Sequence, residues 1–513
     1  MPGRSTLVLV TCLFTSLAAF GCSESQVADV SKQTAREIII QTRSEKTSNP
    51  SAATKSAADD KAKSKSAIVE KRVYLDASKS MRGFAGHGGN FDRLLGELGY
   101  LMGDPKVYKF GSRTKNSSLR YTDLIQPTHL GQEQRSQQYY DLIHNPDDVL
   151  FSELSQRGKD ALSVYISDGV YSAADAKAGS RVITPLSQWF GNGRVLGIFA
   201  MQSAFKGSFY SEKSCSETQG QQCWLEDVNV SNRPFYVFVF SPDEDSFRKL
   251  QHDLKAKFKD FTTIAFLDHS INSEGLELPE NDSIYDSGKQ EDGYYWQMFT
   301  SKFFDSDGPS TLRFNLRYVV DKEYPLNKLG CSVSAKYYAW NDSDRSFAAS
   351  ELPATFKTTQ MANLRQSSTT AHVDRNQSAV NFPAVSLLGQ ESTGEPSRPR
   401  KTSSKQNAPE PKSPGAPGSQ ERASQAGSRS TGFQLEIPRD TRTSYSLYYI
   451  PITVDVEEIT PGIQKLSTDD DSLKKNANQT YRFAEMIKAL LTVHVESQLA
   501  NQLAPPLFLT ISN

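Results

Sequence analysis

Val73-Tyr74-Leu75-Asp76-Ala77-Ser78-Lys79-Ser80 is the stretch on which the fold turns. Three apolar residues run into a carboxylate, and hydroxyls follow it at the second and fourth positions. A strand that stops in this way gathers three hard oxygens into one tight loop. A second apolar run, Leu162 to Ile166, ends in Ser167-Asp168-Gly169 and delivers another carboxylate. The two aspartates are 92 positions apart (168 − 76), which leaves room for helices and strands between them. Oxygen-only ligands of this kind suit Mg²⁺, which wants near-octahedral geometry and keeps some of its waters.

Asp-x-Ser-x-Ser after one strand, with Ser-Asp-Gly after a later one, resembles the metal-ion-dependent adhesion site of von Willebrand factor A-type (VWA) domains. The resemblance implies an α/β fold, a Rossmann-like open sheet flanked by helices. It also implies a metal site made by Asp76, Ser78, Ser80 and Asp168 at the carboxyl ends of parallel strands. In that family the metal keeps one coordination position free, and an acidic group of a partner protein completes it. A Thr from a middle loop is also expected. Thr128, in Gln126-Pro127-Thr128-His129, is the candidate, and Asp147 or Asp148 is an alternative ligand nearer the second strand.

The N-terminal residues set the expected address. Arg4 precedes the apolar stretch Leu7 to Phe20, too short to span a bilayer as a helix but suited to the hydrophobic region of a secretory signal. Leu17-Ala18-Ala19-Phe20-Gly21-Cys22 resembles the lipobox of bacterial lipoproteins. That resemblance implies a signal peptide over 1–21 and a lipidated Cys22. An ordinary signal peptide or an uncleaved anchor is the alternative. Ser23 after the cysteine implies the outer membrane where the cell has one, so the expected location is the bacterial cell envelope, lipid-anchored. Of the other cysteines, Cys12 falls in the signal. Cys215 and Cys223 bracket a polar loop and are expected to form a local disulfide in an oxidising compartment. Cys331 is left over and reads as a small buried apolar side chain. No Cys-x-x-Cys or close His pair suggests zinc.

With 513 residues the chain exceeds one ordinary core, and 58 basic against 59 acidic residues leave a net charge of −1. That balance exerts no global pull on nucleic acid. A mean hydropathy of −0.53 reflects long polar tracts. Residues 44–66 are mostly Ser, Ala, Lys, Thr and Asp without an aromatic, so 22–67 is expected to be a lipidated Cys and a flexible tether. The patch Ile38-Ile39-Ile40 offers no more than a helix turn.

The first folded unit is expected over 68–268. Phe91, Leu94, Leu95, Leu98 and Leu101 recur at helical spacing and make a core stripe. Gly83 to Gly89 is Gly-rich but lacks a following Gly-Lys-Ser/Thr, so it reads as a rim beside the Asp76 loop and not as a nucleotide loop. Strands are expected at 107–110, 194–200 and 235–240, and a helix carries Phe247, Leu250, Leu254 and Phe258. Thr262 to Leu267 either completes this sheet or opens the next unit.

Residues 269–513 turn to strands, as in the alternation of Leu312, Phe314, Leu316 and Tyr318, and predict a β-rich, sandwich-like part. One helix (Phe483, Ile487, Leu490, Leu491) precedes a strand at 507–511. Glu391 to Gly432, dense in Ser, Pro, Gln and Gly, reads as a disordered insertion.

Signs of catalysis are few. No Gly-x-Ser-x-Gly, His-Glu-x-x-His or dinucleotide fingerprint occurs, and the seven histidines are scattered. Asp469-Asp470-Asp471 reads as a solvated loop and Tyr294-Tyr295-Trp296 as packing. The expected protein is thus a non-enzymatic envelope lipoprotein whose VWA-like domain binds, through Mg²⁺, a protein or envelope component carrying an acidic group. The alternatives are a metal-dependent envelope hydrolase and a structural scaffold with a vestigial site.

Overall fold

The computed structural model describes residues 23–48, 70–111, 127–128, 137–140, 151, 154–155, 160–170, 180–210, 224–279, 282–289, 293–304, 308–361, 427–469, 476, 478–499 and 505–513. The chain folds as an α/β sheet followed by a β-rich part.

The first sheet has seven strands, β1 (Glu70–Asp76), β2 (Lys106–Phe110), β3 (Pro127–Thr128), β4 (Ala161–Ser167), β5 (Val195–Tyr210), β6 (Trp224–Ser241) and β7 (Thr262–Phe266), in the order β3-β2-β1-β4-β6-β5-β7. β2, β1 and β4 run parallel, and β6 is antiparallel to β4. β5 and β6 form one long antiparallel hairpin. Thr262–Phe266 completes this sheet, as the antiparallel edge beside β5. Cys215 and Cys223 lie outside the described residues, as do Cys12 and Cys22.

Strand parity explains the apolar runs. In β1, β4 and β6, Val73, Leu75, Val164, Ile166, Phe235, Val237 and Val239 enter one apolar cluster. Their alternate neighbours Tyr74, Tyr165, Tyr236, Phe238 and Phe240 enter another. Both faces are therefore covered, as expected of a mixed sheet whose strands are apolar on both sides. On the first face lie helices α2 (Asn90–Leu101) and α4 (Glu244–Lys257), through Phe91, Leu94, Leu98, Phe247 and Leu254. Asp243 caps α4, accepting the Ser246 backbone N–H at 2.7 Å. On the second face lie α3 (Ser180–Gly191) and α5 (Phe483–Leu499), through Trp189, Phe190, Phe483 and Ile487.

The later strands are β8 (Ile271–Glu277), β9 (Ile284–Lys289), β10 (Tyr295–Phe299), β11 (Ser310–Val320), β12 (Leu326–Val333), β13 (Lys336–Asn341) and β14 (Ser346–Ser350). After them come β15 (Lys357–Met361), β16 (Gly427–Ile437), β17 (Tyr445–Ile450), β18 (Ile452–Ile459), β19 (Ser467–Thr468), β20 (Thr480–Tyr481) and β21 (Leu507–Ser512). They form a six-stranded sheet β14-β13-β17-β21-β10-β9, a four-stranded sheet β15-β16-β11-β8, and the pairs β12-β18 and β19-β20. Tyr448, Ile450, Leu507, Leu509 and Ile511 of the six-stranded sheet share a cluster with Phe314 and Phe433 of the four-stranded one. That cluster is the same one that covers the second face of the first sheet. The change near residue 268 is thus a change of strand content within one continuous core.

Two expectations need correction. Residues 24–48 form α1 (Glu24–Ser48), a helix of 25 residues and not a tether. Its stripe of Val27, Ala28, Ser31, Ala35 and Ile39 recurs at three and four positions, and Val27, Ala28, Ala35 and Ile39 pack with Trp296, Met298, Leu447, Tyr449 and Phe508. Ser31 satisfies its buried hydroxyl by donating to the carbonyls of Val27 (2.7 Å) and Ala28 (3.0 Å). Likewise, Gly427 to Gly432 belongs to β16, paired in full register with β11, so this part of the polar tract is a strand. The stretch 391–426 lies outside the described residues. Cys331 is buried, and burial pushes its thiol up to about 12, so it behaves as the expected apolar side chain.

His494 of α5 is fully buried, with Nδ1 2.7 Å from the Tyr324 hydroxyl and its ring edge-on to Phe190 at 4.6 Å. Burial holds its pKa down to about 3, so the folded state keeps it neutral where the unfolded chain, near 6.5, takes up a proton. Stability is therefore expected to fall as pH drops from about 6.5 towards 3, with a contribution approaching about 1.4 kcal/mol per pH unit. Urea denaturation at several pH values checks this. His494→Phe should flatten the slope in that window, and an unchanged slope would assign the loss to other groups.

Candidate functional site

The parallel register of β1 on β4 puts Leu75 opposite Ile166, so Asp76 and Ser167 stand side by side at the strand ends. The Ser167 hydroxyl donates to Asp76 Oδ2 at 2.9 Å, and the Ser78 backbone N–H donates to Asp76 Oδ1 at 2.9 Å. The second contact is the local turn for which a short acid is chemically fitted. Ser78 Oγ and Ser80 Oγ are 2.9 Å apart. Backbone N–H groups of Met81 and Arg82 donate to the carbonyls of Ser78 (3.1 Å) and Lys79 (3.2 Å), curling the loop into a short 3₁₀ turn.

One residue beyond Ser167, Asp168 Oδ1 accepts the Val170 N–H at 3.4 Å, and Gly169 N–H donates to Ser167 Oγ at 3.2 Å. Gly169 has φ +66°, and a Cβ there would stand 2.4 Å from the Tyr236 ring. The same ring stacks on Phe483 at 4.0 Å, and the Tyr236 hydroxyl donates to Thr480 Oγ1 at 3.0 Å. Thr480 Oγ1 in turn lies 3.5 Å from the Asp168 carbonyl, at the limit of a hydrogen bond.

Asp76, Ser78 and Asp168 are 0%, 1% and 2% exposed, and Ser80 is half-buried. Two carboxylates at this depth need compensating charge. Arg233 of β6, also 2% exposed, carries one, with its guanidinium 5.0 Å from the Phe205 ring centroid. Burial lowers its pKa, and the negative charge of Asp168 opposes that fall most. Tyr140 is buried nearby, and burial holds its hydroxyl neutral, with the charges of Tyr139, Asp92 and Asp76 adding to the effect.

The Gly-rich stretch serves a third acid. Asp92, in the first turn of α2, accepts backbone N–H groups from Gly86 (3.0 Å) and Gly88 (2.7 Å). Gly86 and Gly88 adopt positive φ, which lets both amides turn inward onto one carboxylate. This rim clasps a resident carboxylate.

Thus the loop of Asp76, Ser78 and Ser80 and the loop of Asp168 follow adjacent strands at one sheet rim, joined by the Ser167 contact to Asp76. Thr128 does not join them. It pairs with Val107, which is itself level with Val73, so its backbone lies two strands over and three residues back from Asp76. Strand spacing makes that separation roughly 14 Å. Asp147 and Asp148 lie outside the described residues. Ser167, Asp92, Tyr140 and Arg233 were missed by sequence reasoning. Ser167 was in view as the residue before Asp168, whereas Arg233 sits in a polar run before Pro234 that carries no signal.

The donor chemistry fits a hard cation. In an octahedral Mg²⁺ shell with bonds of 2.0–2.1 Å, adjacent oxygens stand about 2.9 Å apart, the Ser78 to Ser80 separation. The same distance is an ordinary hydroxyl hydrogen bond, which the pair makes without metal. Among the described residues no group of three or more His, Cys, Asp or Glu that could hold a metal occurs. The set here has only two such residues, with two serine hydroxyls. Comparison of the chain with protein-family models, curated sequences and solved structures found no match.

Gly169→Ala is expected to destabilise the fold by about 1–3 kcal/mol through its positive φ and the clash with Tyr236. Urea denaturation reads this directly. An unchanged midpoint would mean that the Asp168 loop relaxes away from Tyr236 at no cost.

Proposed function

We propose that the chain is an envelope-anchored bacterial lipoprotein that binds a partner through a divalent cation held by Asp76, Ser78, Ser80 and Asp168. The reading rests on the placement of Asp76, Ser78 and Ser80 after β1 and of Asp168 after the adjacent parallel β4, at strand carboxyl ends where ligands of open α/β sheets bind. When bound, Mg²⁺ supplies a positive charge with an exchangeable coordination position, suited to a carboxylate on a protein or envelope component.

The residues divide the work by charge and exposure. Ser167 and the Ser78 N–H orient the Asp76 carboxylate. Ser78 and Ser80 contribute oxygens without charge, so the attraction for a cation comes from the two acids, with Arg233 near Asp168 opposing it. Ser80, the most exposed of the four ligands, marks the side from which a partner acid approaches. Export and a lipidated Cys22 belong to the same reading.

A second reading, a metal-free scaffold, is favoured by one observation: Arg233 already brings positive charge to the buried acids. Calorimetric titration with Mg²⁺ and Mn²⁺ separates the two. Metal-dependent binding predicts saturable heat that falls at least about tenfold in affinity in Ser80→Ala, as expected when a ligand is lost with little effect on folding. Asp76→Asn should abolish it while keeping the Ser78 and Ser167 contacts largely in place. Absence of divalent binding in a folded wild-type protein would overturn the metal reading in favour of the scaffold.

A further inference from the structure

The link between Cys22 and the folded body is short. α1 begins at Glu24, and Val27 and Ala28 are already packed at 0% and 4% exposure. Lys32 pins the same helix to the edge of the six-stranded sheet. Its Nζ lies 2.7 Å from Asp286 Oδ2 and 4.4 Å from the Trp296 ring centroid, and its carbonyl accepts the Tyr294 hydroxyl at 3.3 Å. The polar residues 49–69 follow α1 and lead to β1, so they come after this attachment and cannot serve as a leash ahead of it.

Two residue steps separate Cys22 from Glu24 (24 − 22), and three helical ones separate Glu24 from Val27 (27 − 24). Together they reach about 12 Å. α1 alone, at 25 residues, is about 37 Å long, three times that reach. A body held on so short a connection cannot turn its far side to the surface in which its anchor sits.

We infer that the surface around the N-terminal turn of α1 faces a phospholipid bilayer at close range, the membrane surface being its partner. This rests on the reading of Cys22 as the lipidated residue. α1 is then a strut that sets the orientation of the molecule. A point away from α1 is offered by α2, which packs against a different sheet. α1 packs with the six-stranded sheet, whereas α2 packs on the first sheet in a separate cluster that contains no residue of α1 or of the six-stranded sheet.

The test uses the full chain carrying its N-terminal lipid, in vesicles of phosphatidylethanolamine and phosphatidylglycerol doped with an acceptor-labelled lipid. A genetically encoded fluorescent amino acid replaces either Gln33, exposed on α1, or Tyr100, 80% exposed on α2. Energy transfer to the lipid is expected to be several-fold higher from position 33. A Gly/Ser spacer of about 40 residues, with a root-mean-square reach of about 35 Å, inserted between Ser23 and Glu24 should erase that difference. Equal transfer from the two positions, or a spacer without effect, overturns the inference. If vesicle binding is still lost in Cys22→Ser, the lipid anchor itself stands. Mass spectrometry finding no acyl group on Cys22 would remove both.

Discussion

The parallel pairing of β1 with β4 is the constraint from which the rest of the site follows. It joins segments far apart in sequence and ends them at the same level, with Leu75 opposite Ile166. A slip of one residue would reverse the parity of β4, sending Val164 and Ile166 to the face of Tyr74 and moving Ser167 away from Asp76. Such a slip is blocked on both sides. Val73, Leu75, Val164 and Ile166 are all fully buried in one cluster, and Tyr74 and Tyr165 in the other. The position of two carboxylates is thus fixed by hydrophobic packing along the strands that carry them.

Depth and charge compete at this rim. Burial of Asp76 and Asp168 costs solvation, and the structure offsets it with directed donors: a backbone N–H and a hydroxyl for Asp76, a backbone N–H for Asp168, and the Arg233 guanidinium nearby. Hydrogen bonds from fixed groups hold a carboxylate in one orientation, which is useful to any ligand that must meet it without rearrangement. The contact of Thr480 with the Asp168 carbonyl, and of Phe483 with Tyr236, brings the later part of the chain to the same loop. A site drawn from the first sheet alone would be incomplete.

What was legible in the sequence was local. Asp76, Ser78 and Ser80 belong to one turn, and Asp168 follows its strand directly, so chain order and strand ends sufficed to group them. The helical stripe from Phe91 to Leu98 was equally plain, because its period is set within a few turns. Arg233 and Thr480 were hidden because their roles depend on pairings across large sequence separations, which composition does not encode. The insertion of β6 between β4 and β5 is of the same kind, since a hairpin reveals its partner strand but not its outer neighbour. α1 was obscured for a different reason. Its contact stripe is built largely from Val, Ala and Ser, small enough to fit against Trp296 and Phe508, and such residues resemble linker composition. The beginning of β16 was hidden by the polarity of Ser428 to Thr431, although strand alternation needs only every second side chain to face inward.

The place of β21 in the six-stranded sheet imposes an order of events. Residues 507–512 lie between β17 and β10, parallel to one and antiparallel to the other, so they bridge two half-sheets made by earlier residues. Until that segment emerges, strands 295–299 and 445–450 each present a bare hydrogen-bonding edge of largely apolar sequence. Such edges invite pairing with other chains. A chain that emerges from its N-terminus thus leaves both edges open until residues 507–512 follow.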